Sequence, residues 1–353
     1  MADIEFGASY YQDVIKDFGY DPSMFDGFTE DLPRISRDDM QKVFLCHQGL
    51  YDFRDSTSDK AVLTGFGLSG VPHMGTLSQM NRVSILNQAG YFSEVILGDL
   101  DAYNGKLIPI ETVKHHAVVY KGFLDRSGIL NPDNSRVRNQ YDDPEVLRTA
   151  YLIGRFVTDG QLEAAEEDLH EFYAREGRVD STMTYRRKLS LNLMVADFFN
   201  LGQTHPEVLV MLGIDEHQYV RVGQQLADTI DPVVSGLSPV RISSLYTPII
   251  KGLNGYPKMS KSFPDSGITL TTPIAQVEQL IMREPDTFKD PDESVVYQIA
   301  CGIGLGHDVS LSEVWEAANE RDREWCNVKK LLISRIALFG KHWEGAKDDA
   351  EKH

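Results

Sequence analysis

Cysteine is scarce: three residues, Cys46, Cys301 and Cys326, in a chain of 353. They lie far apart and show no paired metal-ligand spacing, so the sequence implies neither a disulfide framework nor a structural zinc or iron–sulfur cluster, and all three read as reduced residues. Long apolar runs are lacking too, since none approaches the roughly 20 residues that span a bilayer. The opening residues, Met1-Ala2-Asp3-Ile4-Glu5, have no basic region followed by an apolar one. A cytoplasmic protein with no membrane partner is expected. Positive charge is in deficit, with 35 Lys+Arg against 53 Asp+Glu and a net charge of −18. Such a surface repels a polyanion unless a local basic patch overrides it. There is no internal repeat and no low-complexity linker. What the chain does have is length for two domains and 42% hydrophobic residues to fill their cores.

The most informative stretch is Lys258-Met259-Ser260-Lys261-Ser262, set between Gly255-Tyr256-Pro257 and Pro264-Asp265-Ser266-Gly267. Two lysines three apart on a glycine- and proline-flanked, mobile loop can close on a polyphosphate and neutralise charge on a departing pyrophosphate. A solvated basic loop is the bland alternative, and a second phosphate-binding segment decides against it. That segment is Ser69-Gly70-Val71-Pro72-His73-Met74-Gly75-Thr76. It follows the β-branched stretch Ala61 to Phe66 and precedes apolar residues at Leu77, Met80, Val83 and Leu86, ending at Gly90. The pattern predicts strand, turn and helix, and Glu94 to Asp99 supplies a second buried strand ending in an acid, so residues 61 to 99 form a βαβ unit. Backbone N–H groups at the helix start favour an anion, Gly75 permits close approach to the backbone, and His73 can donate to a phosphate oxygen.

Elsewhere, residues 1 to about 60 read as a mixed extension with turns at Asp21-Pro22 and Leu32-Pro33. From Ile110 to about Leu193 the pattern is helical, punctuated at Asn131-Pro132-Asp133-Asn134 and Asp142-Asp143-Pro144, with an exposed acidic helix surface over Glu163-Ala164-Ala165-Glu166-Glu167-Asp168. Val208 to Leu212 is a buried strand ending at Gly213 and Asp215, with a helix following through Leu226. Arg241 to Ile250 leads as a β-rich segment into the lysine loop, and helices from Ile274 onward form a small bundle. The expected fold is α/β: a Rossmann-like parallel nucleotide-binding sheet with a helical insertion, followed by a small α-helical C-terminal domain. The boundaries are 1–262 for the catalytic domain, with the insertion at about 107–195, and 263–353 for the bundle.

Taken together, these segments resemble the class I aminoacyl-tRNA synthetases, tryptophanyl/tyrosyl branch. His73-Met74-Gly75-Thr76 resembles that class's first signature, His-x-Gly-His, and Lys258 to Ser262 matches its second in full. Thr64-Gly65-Phe66 with Ser69-Gly70, then Gly98 to Tyr103, then Gly213-Ile214-Asp215-Glu216-His217-Gln218, resemble the family's intervening segments. Phe18 to Pro22 and Cys326 to Leu331 are closer to the archaeal and eukaryotic tryptophanyl enzymes. Two positions depart from the pattern: Thr76 stands for the second signature histidine, and Glu216 for a glutamine, with Gln218 two residues on.

The resemblance implies ATP with Mg²⁺ as the activating pair and no protein-held metal site. It places Lys258, Lys261, His73 and Thr76 in catalysis. ATP contacts fall on Gly65, Ser69, His73, Gly75, Gly213, Asp215, Met259, Ser260 and Lys261, with Asp215 holding either the ribose or the substrate ammonium. Amino-acid contacts fall on Asp99, Met194, Asp197, Glu216 and Gln218. Leu193-Met194-Val195-Ala196-Asp197 is similar to the specificity helix of bacterial tryptophanyl enzymes. There the aspartate accepts the indole N–H and the methionine packs on the ring, a sensible match of one donor to a buried carboxylate and a soft thioether. A tyrosyl site also uses an aspartate there but has glutamine at the Met194 position. The implied reaction is tryptophan activation and transfer to tRNA, and the implied assembly is a homodimer through the insertion. Tyrosine specificity, another acceptor, and a non-catalytic sensor of nucleotide or amino acid are the alternatives. For tRNA the basic candidates are Arg186-Arg187-Lys188 and the group Arg321, Arg323, Lys329 and Lys330, in a region from residue 263 onward that holds 10 Lys+Arg against 17 Asp+Glu.

Overall fold

A computed structural model describes residues 6–22, 35–166, 169–284, 288–305, 309–321 and 323–352. The turn expected at Leu32-Pro33 and the last two residues of the acidic run, Glu167 and Asp168, lie outside the described residues.

One seven-stranded sheet runs through the molecule in the order β1-β2-β7-β6-β3-β4-β5. Its strands are β1 (Asp21–Pro22), β2 (Cys46–Gln48), β3 (Lys60–Gly67), β4 (Phe92–Gly98), β5 (Ser135–Asn139), β6 (Glu207–Gly213) and β7 (Arg241–Thr247). The five strands from β7 to β5 are mutually parallel, while β2 joins β7 and β1 joins β2 antiparallel. The α/β class is as expected from the sequence, with helices on both faces and a C-terminal group of helices.

The strands read as continuous apolar runs because both faces are covered. Alternate side chains feed two different cores. On β6, Leu209 and Met211 join the core under the Met74–Gln88 and Ile110–Ser127 helices and the C-terminal helices. Val208, Val210 and Leu212 join the opposite core, with residues of the Tyr185–Gly202 and His217–Thr229 helices. The long Arg323–Ala350 helix lies against Ile110–Ser127, where a Cβ on Gly122 would come within 3.2 Å of Ala346. Trp343 packs edge-on against Tyr120 at 5.2 Å between ring centroids.

Three readings of the sequence are corrected. The Asp21-Pro22 turn is a two-residue strand on Cys46 and His47, so the segment before residue 60 contributes to the sheet. β5 lies inside the stretch read as helical and extends the parallel sheet beyond β4. Its five residues, Ser-Arg-Val-Arg-Asn, are too few and too charged to announce a strand, and tertiary pairing decides. The acidic helix ends at Ala164, and its carboxylates are engaged: Glu163 pairs with Lys188, and Glu166 with Arg187 and His170.

Candidate active site

Chain direction changes sides between β3 and β6: β4 and β5 lie beyond β3, β7 beyond β6. Ligands of parallel sheets bind at such a point, outside the carboxyl ends of the strands. A cleft of about 370 Å³ opens there. Its walls include Gly65, Ser69, His73, Gly75 and Thr76 from the first motif, and Lys258, Met259, Ser260 and Lys261 from the second. Met194, Asp197, Gly213, Asp215 and Glu216 line the remainder.

The two motifs meet through backbone. The Met74 N–H donates to the Ile268 carbonyl at 3.0 Å, and the Leu270 N–H to Pro72 at 3.0 Å, so the exit of the lysine loop runs beside the helix start. The loop itself is built rather than slack. Met259 is buried and its N–H donates to Ile250, while the Ser260 N–H donates to Ser266 Oγ at 2.8 Å.

His73 is the N-cap of Met74–Gln88, its Nδ1 accepting from the Thr76 N–H at 3.3 Å. Burial, then Lys261 and Lys258, pull its pKa down to about 3, so the ring is neutral. With Nδ1 an acceptor, the proton sits on Nε2, the other ring nitrogen and a donor. Gly75 leaves room for this cap: a Cβ there would stand 2.9 Å from the His73 ring. Thr76 is 8% exposed on the cleft wall.

Each loop lysine has an internal partner. Lys258 Nζ donates to Asp215 Oδ2 at 2.5 Å. Lys261 Nζ donates to the Gly67 carbonyl at 2.6 Å and to Tyr120 Oη at 2.9 Å, and Tyr120 in turn donates to Gly70 at 2.9 Å. Although its stem is half-buried, the Lys261 ammonium sits between these groups, and burial with Lys106 nearby pulls its pKa to about 7. Arg82, 4% exposed, also reaches the cleft wall, with Nη1 donating to Pro248 at 3.1 Å; burial lowers its pKa to about 10, which leaves it charged.

On another part of the cleft wall, Ser190, Leu191, Met194, Asp197 and Phe198 follow helical spacing on one face of Tyr185–Gly202, with Leu63 and Ile96 from the sheet also lining the cleft. Asp197 is 1% exposed and accepts from Arg138 Nη2 at 2.7 Å and from Gln140 Nε2 at 2.8 Å.

Two expected contacts fall elsewhere. Asp99 is absent from the cleft wall; its carboxylate accepts from Asn139 Nδ2 and from the Gln140 and Tyr141 N–H groups, tying the start of its helix to the end of β5. Gln218 also lies off the wall, on the His217–Thr229 helix. The sequence reading missed Gln140, Arg138, Tyr120 and Arg82. The first two follow from the unread strand; a lone arginine inside an apolar helix pattern was the signal for Arg82. Of the basic candidates, Arg186, Arg187 and Lys188 are engaged by Asp180, Glu166, and Asp159 with Glu163. Lys329 is buried over the Trp325 ring and Arg321 over Phe288.

The family model of tRNA synthetases class I (W and Y) matches residues 55–325. The tryptophan–tRNA ligase of Aeropyrum pernix is 27% identical over 284 residues, 77% of this chain and 71% of that protein. The tyrosine–tRNA ligase of Methanocaldococcus jannaschii is 20% identical over 258 residues, 67% and 76% of the two chains. Among solved structures, tryptophanyl-tRNA synthetase from Aeropyrum pernix superposes with a TM-score of 0.75 at 21% identity, over 98% of this chain and 96% of that one. The tryptophan-bound enzyme from Encephalitozoon cuniculi gives 0.72 at 14% identity, over 96% of each. The chain therefore belongs to the class I tRNA synthetases, in the branch that serves tryptophan and tyrosine.

Proposed function

We propose that this protein activates tryptophan with ATP and passes it to tRNA, working as a homodimer with residues 1–262 as catalytic domain and 263–353 as a helical bundle. The observation that carries the reading is the convergence of His73, Thr76, Lys258 and Lys261 on one cleft whose far end holds Met194 and Asp197.

ATP lies across the switch point, with Gly65 and Gly213 leaving room for adenosine and the helix start at His73 facing the phosphates. The donors suit a triphosphate: the neutral His73 offers Nε2–H, Thr76 a hydroxyl, and the two lysines their charge. Among the described residues no group of three or more His, Cys, Asp or Glu side chains can hold a metal ion. An Mg²⁺ brought with ATP would be held chiefly by the phosphates and would screen their charge. The tryptophan carboxylate attacks the α-phosphorus, pyrophosphate leaves, and an aminoacyl-adenylate forms; a hydroxyl of the terminal tRNA ribose then attacks the aminoacyl carbonyl, the acyl–phosphate bond breaks and AMP leaves. No protein nucleophile is required, and catalysis is positioning and electrostatics. Lys258 and Lys261 leave Asp215 and the Gly67–Tyr120 site to meet the departing pyrophosphate. Asp215, released from Lys258, turns to the ribose or the substrate ammonium.

Tryptophan is favoured by Met194 beside Asp197, and by similarity to tryptophan–tRNA ligases from Aeropyrum pernix and, at 25% identity, Xanthomonas axonopodis. Tyrosine is the second reading, supported by the Methanocaldococcus jannaschii match. Amino-acid-dependent exchange of labelled pyrophosphate into ATP, run across all twenty amino acids, is the test. Exchange with tryptophan supports the reading; exchange with tyrosine alone replaces the pocket assignment; none with any amino acid overturns activation.

A further inference from the structure

β5 carries a feature that ATP chemistry does not need. Arg138, 5% exposed, stands among three carboxylates: Glu94 Oε1 at 2.8 Å and Asp143 Oδ2 at 3.4 Å from Nε, and Asp197 Oδ1 at 2.7 Å from Nη2. Arg136 reaches Glu94 at 3.6 Å and Asp143 at 3.8 Å from the solvent side. The group therefore holds two guanidinium cations against three carboxylates, one negative charge in excess. Only Asp197 among them faces the amino-acid end of the cleft.

We propose that Arg138 is a positioning residue for amino-acid recognition, clamping the Asp197 carboxylate together with Gln140 so that its remaining lone pairs stay available to a ring N–H or O–H donor. This rests on the reading that Asp197 meets the substrate ring. An ionised carboxylate offers about four acceptor positions. Oδ1 gives one to Arg138 and Oδ2 one to Gln140, so each oxygen keeps one, and these two donors, with Arg138 itself held through Nε by Glu94, fix the direction of the carboxylate. The charges that act on Asp197 are Arg138 from β5 and Glu94 from β4, while Gln140 is a neutral donor. Burial raises the Asp197 pKa to about 6, with Glu94 adding to the rise and Arg138 and Gln140 opposing it. A protonated Asp197 loses its charge and turns one acceptor oxygen into a donor, which weakens its hold on an indole N–H. Arg138 thus keeps the recognition carboxylate charged at neutral pH, and Glu94 pulls the other way.

The opposed signs provide the test. Asp197 is titrated by carboxyl ¹³C NMR on the full-length protein, its resonance assigned by loss in Asp197→Asn. Arg138→Gln is expected to move its midpoint up by a pH unit or more, and Glu94→Gln to move it down. In pyrophosphate exchange with L-tryptophan, a midpoint near 6 makes the wild-type KM for tryptophan rise about tenfold from pH 7 to pH 5 with kcat unchanged. The same rise begins above pH 7 in Arg138→Gln. Midpoints that stay put, or move in the same direction in both variants, overturn the proposal. If Arg138→Gln fails to fold, Glu94→Gln decides alone, and an unmoved or raised midpoint overturns it. Shifted midpoints without exchange by any amino acid instead overturn the activation reading and the recognition role that rests on it.

Discussion

Lys258 Nζ and Asp215 Oδ2 stand 2.5 Å apart, an ion pair between the lysine loop and the end of β6 in which the carboxylate side chain is 4% exposed and the lysine 18%. Removing one partner of a buried pair leaves the other uncompensated, whereas neutralising both is far less costly. Lys258→Ala is therefore expected to lose stability in urea, and Lys258→Ala/Asp215→Asn to regain most of it. Activity divides differently. A charge acting only in the transition state contributes about 10²–10³ in rate, so pyrophosphate exchange stays depressed by that factor in Lys258→Ala and by at least as much in the double variant, which also loses the Asp215 carboxylate. Exchange that recovers along with stability would reduce Lys258 to a structural residue.

His73 gives a pH signature. Its folded pKa of about 3 lies well below the 6.5 of a free imidazole, so between those limits the unfolded chain binds more protons and stability falls as pH falls. Asparagine caps a helix without titrating. The unfolding free energy of His73→Asn, measured against wild type from pH 7 to pH 4, should show a shallower decline, and parallel curves would remove His73 from the linkage.

How much was visible in the sequence depends on the kind of residue. β3, β4 and β6 were legible because strands covered on both faces are mainly apolar, as in Ala61 to Leu63, Val95 to Leu97 and Val208 to Leu212. The two motifs that the structure brings to one cleft, His73 to Thr76 and Lys258 to Lys261, were legible because histidine, glycine and paired lysines at such spacing stand out from the apolar patterns around them. β2 and β5 were not: they are short, and β5 carries Arg136 and Arg138, whose burial makes sense only once Glu94 and Asp197 are alongside. The same gap hid Gln140, one residue past the end of β5. Asp99 was misassigned for a related reason, since an acid at a strand end faces the crevice by rule, yet this one is spent on the backbone after β5.

The proposed choice of tryptophan over tyrosine is testable at Met194. It lines the cleft one helical turn before Asp197, where a thioether packs on a ring but offers a phenol oxygen no strong partner. Met194→Gln supplies an amide beside the carboxylate. The ratio of kcat/KM for tyrosine over tryptophan in exchange should rise by about tenfold or more, the scale of one gained polar contact against one lost apolar fit. An unchanged ratio would mean that the ring lies away from this turn of the helix.

Gly302 couples the C-terminal helices to the Met74–Gln88 helix. It sits on Val295–Ile303, where a Cβ would come within 2.4 Å of Ser78 Oγ, 2.9 Å of Ser78 Cβ and 3.0 Å of Ile250 Cδ1. The helices cannot part freely, because Asn81 Nδ2 donates to the Gly302 carbonyl at 3.0 Å and Ser78 is fully buried between them. One methyl group in such a seam costs about 1–3 kcal/mol through displaced side chains and backbone. Gly302→Ala should lose that amount in urea unfolding. Ser78→Gly alone is destabilising too, because glycine weakens a helix interior by about 1 kcal/mol. Made together, the two substitutions remove the Ser78 hydroxymethyl group that a methyl group added at Gly302 would strike, so the double variant should be more stable than the sum of the single losses predicts. Strict additivity would show that the seam yields on its own, and that the close approach of glycine to serine is not what holds the C-terminal helices against the helix bearing His73 and Thr76.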